Sequence, residues 1–284
     1  MRLCRFREKG EPRVGLVDED SMVLDLSAAG ITQMFPLLER EDPVSELRIL
    51  AGKNLPRRSL SEIRLCAPVE QQEVWAAGVT YLRSKTARME ESEFSATAYD
   101  RVYEAERPEL FFKSMPEKVI APGEAVGIRR DSKWSVPEPE LALIINSRGK
   151  VIGYTVGNDM SSRDIEGENL LYLPQAKIYQ GSCALGPWIR LGPTENEARR
   201  WTLSLKIMRK GACAFQGTTS VGKIKRGFDE MVSFLFRSQQ FPDGAVLLTG
   251  TGLVPPDNFT LQPEDAIEME IEGIGALRNS VATV

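Results

Sequence analysis

Histidine is absent from all 284 residues of this chain. That removes every mechanism built on an imidazole: Ser-His-Asp and Cys-His catalysis, His-ligated zinc, and a His general base. Cysteine is scarce, and Cys4, Cys66, Cys183 and Cys213 are scattered with no C-x-x-C pair, so neither a disulfide framework nor a thiolate zinc site is expected and the four read as free buried thiols. Any metal must therefore be held by oxygen, and acid–base work falls to carboxyl, Lys, Tyr, Cys or bound water. Long apolar runs are also missing. None nears the ~20 residues that a membrane span needs, and the charge-alternating stretch from Met1 to Arg13 has no signal-peptide core. Basic tracts are missing too: Lys plus Arg number 36 against 40 for Asp plus Glu, a net charge of −4. Nucleic acid and membrane are not expected partners, and a cytoplasmic protein is expected.

What is present, 42% hydrophobic and 27% charged residues, is the balance of a globular protein with a substantial core. The N-terminal part reads as a small α+β unit, residues 1–68. Arg2 to Arg7 and Val14 to Leu26 alternate as in hairpins, Ile31 to Arg40 has helical spacing interrupted by Pro36, Pro43, Gly52 and Pro56 mark loops, and Ser61 to Ala67 reads as a strand. Residues 69–284 form a second unit of many short strands with Gly and Pro turns, the pattern of a mainly β domain with covering helices. Strands are expected at Glu73–Val79, Leu110–Lys113, Glu124–Arg129, Glu140–Ile145, Val151–Val156 and Ile267–Ile271. Helices are expected at Leu82–Glu106, Arg163–Leu170 and Phe228–Arg237. Gly217-Thr-Thr-Ser-Val-Gly222-Lys223 nearly spells a phosphate-binding loop, but Ile224 stands where a Ser or Thr would reach Mg²⁺.

The candidate chemistry lies between Asp131 and Tyr179. Pro137-Glu138-Pro139-Glu140 sets two carboxylates two residues apart at the start of an apolar run, so in an extended chain they share a face, and Pro139 biases Glu138 towards that conformation. Like charges on one face repel, and a cation offsets the repulsion. Asp159 follows in the turn-prone Gly157-Asn158-Asp159-Met160. Three carboxylates suit a hard cation, Mg²⁺ with Mn²⁺ or Ca²⁺ as alternatives. Spacing alone leaves a solvated acidic edge as the commoner explanation of such a pair.

Several motifs in register carry a more specific message. Val136-Pro-Glu-Pro-Glu-Leu-Ala-Leu143, Gly153-Tyr-Thr-Val-Gly-Asn-Asp-Met-Ser-Ser-Arg-Asp164, Lys177, Gly186-Pro187, Leu248-Thr-Gly-Thr251 and Ile271-Glu-Gly-Ile-Gly-Ala-Leu-Arg-Asn279 resemble the successive motifs of the fumarylacetoacetate hydrolase superfamily over roughly residues 73–280. The resemblance implies an α+β, mainly β fold, a β-roll catalytic domain behind a small N-terminal α+β domain, in a homo-oligomer (dimer or tetramer). It implies that Glu138, Glu140 and Asp159 are metal ligands, that Lys177 is the family lysine and that Thr251 is a substrate-side threonine.

The chain departs from the family's hydrolases where an N-Y-x-x-H segment would supply a water-activating histidine. Here it reads Thr80-Tyr81-Leu82-Arg83-Ser84, and a lone serine is no base near neutral pH. The wording around Gly78 to Ser84, Ala87 to Glu93, Arg107 to Lys113 and Asp159 to Lys177 is similar to the family branch that dehydrates 2-keto-3-deoxy-D-arabinonate to 2,5-dioxopentanoate in oxidative pentose breakdown. The resemblance thus implies a metal-dependent hydro-lyase with a small 2-keto acid as substrate; another family activity, hydrolysis or decarboxylation of a keto acid, is the alternative, and a silent scaffold is the third. A 2-keto acid chelates a metal through its carboxylate and C2 carbonyl, which acidifies C3. Lys177 is the candidate base, or equally a charged anchor for the substrate carboxylate. Glu109 is the candidate acid for the departing hydroxide, or else a strand-edge residue. Arg83 and Ser84 are candidate substrate-binding residues, Arg through its planar fork. Lys113, Arg163 and Asp164 are candidate supports for the ligands.

Overall fold

The structure is a computed structural model that describes residues 1–19, 21–81 and 101–284. Eleven strands form one sheet. From one edge its order is Arg57–Ser59, Met22–Asp25, Arg13–Val17, Arg2–Arg7, Cys183–Leu191, Val151–Asp159, Pro139–Ile145, Ala245–Leu248, Glu73–Gly78 and Glu109–Ser114, with Arg64–Cys66 also paired to Arg2–Arg7. The path has two free ends, so this sheet is not a closed barrel. Its N-terminal strands are continuous with the rest, since Arg2 and Leu3 lie opposite Arg190 and Ile189. A second sheet of five strands runs Ala212–Ser220, Thr202–Arg209, Ala266–Ile271, Gly275–Thr283 and Ala125–Ile128.

The strand Pro139–Ile145 explains the layering, because every one of its residues is buried. Leu141, Leu143 and Ile145 join a core shared with Leu203, Leu205, Ile267 and Met269 of the smaller sheet and with Phe228, Met231, Val232 and Leu235 of the helix Phe228–Phe236. Ala142 and Ile144 point the other way, into a core with Leu37, Leu38, Leu47 and Leu50 from the N-terminal helices. A strand covered on both faces needs apolar residues throughout, hence the unbroken Leu-Ala-Leu-Ile-Ile. Trp75, Trp188 and Trp201 pack against the first of these cores, and Trp75 meets Phe112 and Phe241 edge-on, with ring centroids 5.9 and 6.1 Å away.

Several sequence expectations are corrected in detail. The helix expected over Ile31–Arg40 is confined to Phe35–Leu38, and the principal N-terminal helix is Pro43–Ala51. Pro43 occupies the first turn, where its missing N–H costs nothing, and the Asp42 carboxylate caps the helix by accepting from the Ser45 N–H at 3.0 Å. The strand expected at Val151–Val156 runs on to Asp159, so that carboxylate is held by a sheet and not by a turn. Cys213 is exposed and Cys66 half-buried, whereas burial pushes the Cys4 and Cys183 thiols up to about 12. Most of the helix expected at Leu82–Glu106 lies outside the described residues. The phosphate-loop-like segment falls on the strand Ala212–Ser220 and a short 3₁₀ turn, not on a strand-to-helix junction. Among the described residues no helix is long and apolar enough to cross a membrane.

A two-sided core makes a sharp stability prediction. Leu143→Ala, at 0% exposure, should cost about 2–5 kcal/mol in urea unfolding. Ile49→Ala, at 68% exposure, should stay within about 0.5 kcal/mol of the parent. Equal losses at the two sites would contradict the layering described.

Candidate metal centre and active site

The sheet register gathers the carboxylates. Glu138 and Glu140 are two residues apart on an extended segment, and the neighbouring strand places Gly157 opposite Glu140 and Asn158 opposite Pro139. The Asp159 N–H then donates to the Glu138 carbonyl at 3.0 Å, which brings Asp159 level with Glu138. Gly157, with no side chain between the two strands on this face, leaves room: a Cβ there would lie 2.2 Å from Leu248. One oxygen from each of Glu138, Glu140 and Asp159 comes within 4.8 Å of the others, and all three residues are buried. The solvated-edge explanation of the E-x-E pair is thereby set aside.

Three buried cations hold this cluster. Lys177, at the end of the short helix Leu173–Lys177, donates from Nζ to Glu138 Oε2 at 2.7 Å, Asp159 Oδ2 at 3.2 Å and Ser161 Oγ at 2.5 Å. The Ser161 hydroxyl spends its proton on the Asp159 carbonyl, so it receives one from Lys177. Arg163 donates to Glu138 Oε1 at 2.6 Å. Lys113 pairs with Asp159 and donates to the Met160 carbonyl at 3.1 Å and to the Lys177 carbonyl at 2.5 Å. Lys113 and Arg163 thus support the carboxylates as expected, while Asp164 turns away to bind Ser132 and the Lys133 N–H.

Glu140 is the exception. Its Oε2 accepts from the Gly250 N–H at 2.6 Å, and among the described residues it forms no ion pair. Burial first, then the Asp159 and Glu138 charges, push its carboxyl well above the usual carboxylate range. Glu166 is a further buried carboxylate, its Oε2 4.0 Å from Lys177 Nζ. An all-oxygen donor set in which one buried carboxylate, Glu140, has no ion pair among the described residues fits Mg²⁺, and Glu138, Glu140 and Asp159 are the residues that would hold it.

Glu109 opens the strand Glu109–Ser114 and shares its face with Phe111 and Lys113. Its carboxylate lies over Gly78, where a Cβ would approach Oε2 to 1.8 Å. Glu109 and Glu166 together line a cavity of ≈320 Å³ with Leu170 and Leu173. A larger cavity of ≈520 Å³ reaches Lys113 and Tyr179, but none of the clustered carboxylates lines it. Thr251 is buried beside Gly250, but its hydroxyl is engaged within its own turn, donating to the Leu253 carbonyl at 3.1 Å. Arg83 and Ser84 lie outside the described residues. Sequence reasoning missed Ser161 and Glu166. Glu166 stands three residues after Arg163 on the helix Arg163–Glu168, a spacing that puts both on one face and was available as a clue.

The family profile described as fumarylacetoacetate (FAA) hydrolase C-terminal matches residues 73–282. The chain belongs to the fumarylacetoacetate hydrolase family. A probable 2-keto-3-deoxyxylonate dehydratase of Haloferax volcanii is 48% identical over 217 residues, covering 76% of this chain and 74% of that protein. The 2-dehydro-3-deoxy-D-arabinonate dehydratase of Saccharolobus solfataricus is 41% identical over 221 residues, covering 77% and 74%. A solved structure of 2-keto-3-deoxy-D-arabinonate dehydratase complexed with magnesium and 2,5-dioxopentanoate superposes with a TM-score of 0.84 at 33% identity, covering 100% of this chain and 99% of that one. Glu138, Glu140 and Asp159 lie within the matched residues 73–282.

Metal addition gives a direct check. Mg²⁺ at 100-fold its dissociation constant should raise stability by about 2.7 kcal/mol, read as a rise in melting temperature over chelator-treated protein. Asp159→Asn should lose that rise. Glu140→Gln should lose it too, yet melt no lower than the parent without metal, because it removes a buried charge that has no ion pair among the described residues. An undiminished Mg²⁺ response in both variants would rule out the triad as the metal site.

Proposed function

We propose that this chain is a magnesium-dependent hydro-lyase that removes water from a 2-keto-3-deoxy-pentonate, 2-keto-3-deoxy-D-arabinonate in the first instance, to give 2,5-dioxopentanoate. The observation that carries the reading is the buried all-oxygen cluster of Glu138, Glu140 and Asp159, in which Glu140 has no ion pair among the described residues, with Glu166, 4.0 Å from Lys177, in the wall of a neighbouring cavity. The dehydratase names of relatives at 41% and 48% identity, and the magnesium and 2,5-dioxopentanoate of the solved neighbour, support the same chemistry. A cytoplasmic location and assembly into a homodimer or homotetramer belong to this reading.

When bound, Mg²⁺ supplies Lewis acidity to a chelated carboxylate and C2 carbonyl, which acidifies the C3 protons. The chain's own residues do the rest. Arg163 and Lys113 hold Glu138 and Asp159 in place, and the Gly250 N–H does the same for Glu140. Lys177 is the group that moves a proton at C3. Three acceptors around one nitrogen describe an ammonium, so Lys177 must shed a proton before it takes one; as a permanent ammonium it would keep its contacts and anchor the substrate carboxylate instead. Glu109, at the cavity wall, protonates the departing C4 hydroxyl. Thr251 supports the substrate side of the site, and Arg83 and Ser84 bind the substrate's hydroxyl or carboxylate groups.

Purified protein with Mg²⁺ and 2-keto-3-deoxy-D-arabinonate should yield 2,5-dioxopentanoate by NMR. Pyruvate with a two-carbon aldehyde, or no turnover, would overturn the dehydratase reading. Lys177→Met should lose at least about 100-fold in kcat. If the lysine only anchors a carboxylate, Lys177→Arg should retain kcat and raise KM; if it moves the C3 proton, Lys177→Arg should fail like Lys177→Met.

A further inference from the structure

A helix of five residues cannot hold its own shape in water, yet Leu173–Lys177 is such a helix and ends on the lysine that joins Glu138 to Asp159. The contacts of Nζ with Glu138, Asp159 and Ser161 fix the tip of a flexible stem and not its root. The outer side of the helix offers no cover, since Pro174 and Gln175 are exposed. Proton transfer needs direction as well as distance, so the backbone that aims Lys177 matters along with the atoms its tip touches.

That backbone is gripped from the smaller sheet. The strand Ala125–Ile128 runs against the loop that follows Lys177, and the Gly127 N–H donates to the Gly181 carbonyl at 2.9 Å. The approach leaves no space for side chains: a Cβ on Gly127 would lie 2.2 Å from the Gln180 carbonyl oxygen, and one on Gly181 would lie 2.6 Å from the Gly127 nitrogen. Arg129 follows at the two-residue spacing that keeps a side chain on the same face of an extended chain. Asp131 holds its guanidinium as a fork, accepting from Nε at 2.8 Å and from Nη2 at 2.6 Å. The remaining arm, Nη1, donates to the Gln175 carbonyl at 3.1 Å, and the guanidinium carbon lies 5.7 Å from the centre of the Tyr179 ring. Gln175 is two residues before Lys177 and Tyr179 two residues after it, while Lys113 donates to the carbonyl of Lys177 itself at 2.5 Å. The side chains of Arg129 and Asp131 are 21% and 61% exposed, and an ion pair in that setting adds little stability. What the fork does is fix the plane in which the third arm points.

We propose that Arg129 is a positioning residue for Lys177: oriented by Asp131, it holds the chain on both sides of the lysine and sets the direction from which that side chain meets the substrate. This rests on Lys177 acting in the dehydratase reading.

Arg209 provides a matched control. It forks onto Asp265 at 2.8 and 2.7 Å, donates to the Thr260 carbonyl at 2.8 Å and lies 5.3 Å from the Phe259 ring, but the segment it grips contains none of the candidate site residues. The parent, Arg129→Met and Arg209→Met are compared by kinetics with Mg²⁺ and 2-keto-3-deoxy-D-arabinonate, and by proton–nitrogen NMR of the lysine side chains, with Lys177→Met identifying the Lys177 Nζ signal. Arg129→Met should lose about 10- to 100-fold in kcat, the upper figure being the cost of a misplacement of about 1 Å, with KM close to the parent's. Its Lys177 Nζ signal should move, and its Mg²⁺-dependent melting shift should persist because the carboxylates stay in place. Arg209→Met should keep kcat and the Nζ signal of the parent even where it melts lower. No 2,5-dioxopentanoate from the parent would count against the dehydratase reading and not against the clamp, on which the Nζ signal reports by itself. The proposal is overturned if Arg129→Met keeps the parent's kcat, changes KM alone, loses the Mg²⁺ shift or leaves the Nζ signal unmoved, or if Arg209→Met lowers kcat as far.

Discussion

Glu138, Glu140 and Asp159 repel one another across a buried space in which charge is poorly screened, and the surrounding architecture answers that repulsion. Lys177 bridges two of them, Arg163 and Lys113 take the remaining oxygens, and Glu140 is left to a backbone N–H. Each of these groups comes from a different stretch of chain: a sheet edge, two short helices, and the loop after Ala245–Leu248. Deleting one partner leaves another charge buried without compensation, which is why such clusters behave as units and not as sums of pairs. The stability of the cluster and its readiness to accept a cation are the same electrostatic fact.

The short helices owe their value to position, not to their own stability. Arg163–Glu168 has six residues, far fewer than an isolated helix needs in water. It is held because Arg163 reaches Glu138 and because its backbone N–H donates to the Trp134 carbonyl. One face then carries both a cation that supports the clustered carboxylates and, three residues further on, a carboxylate that lines the cavity. Leu173–Lys177 does the same with Lys177.

Much of this was legible in the sequence, and for identifiable reasons. The unbroken apolar run after Glu140 announced a strand covered on both faces, and the two-residue spacing of Glu138 and Glu140 announced a shared face, because both follow from strand geometry alone. Asp159 was recognised but assigned to a turn, since Gly-Asn-Asp favours turns until a neighbouring strand pairs with it. The helix Pro43–Ala51 was missed because proline marks a loop and a helix start alike, and only the Asp42 cap decides. Family motifs supplied Lys177 and Thr251, but not that the Thr251 hydroxyl is engaged with Leu253. Glu166 escaped because its spacing from Arg163 shows only a shared helix face, while its approach to Lys177 depends on how two short helices pack.

The pairing of Arg2 and Leu3 with Arg190 and Ile189 bears on how the chain is made. Synthesis proceeds from the N-terminus at about 5–20 residues per second, so the first strand emerges roughly ten seconds or more before its partner exists. Until then it can pair with Arg13–Val17 and Arg64–Cys66, but its edge towards Cys183–Leu191 stays open. Closing that edge joins residues far apart in the chain, the kind of contact that slows folding and exposes unpaired strands meanwhile. Until Cys183–Leu191 has been delivered, that open edge is a template on which another strand can pair.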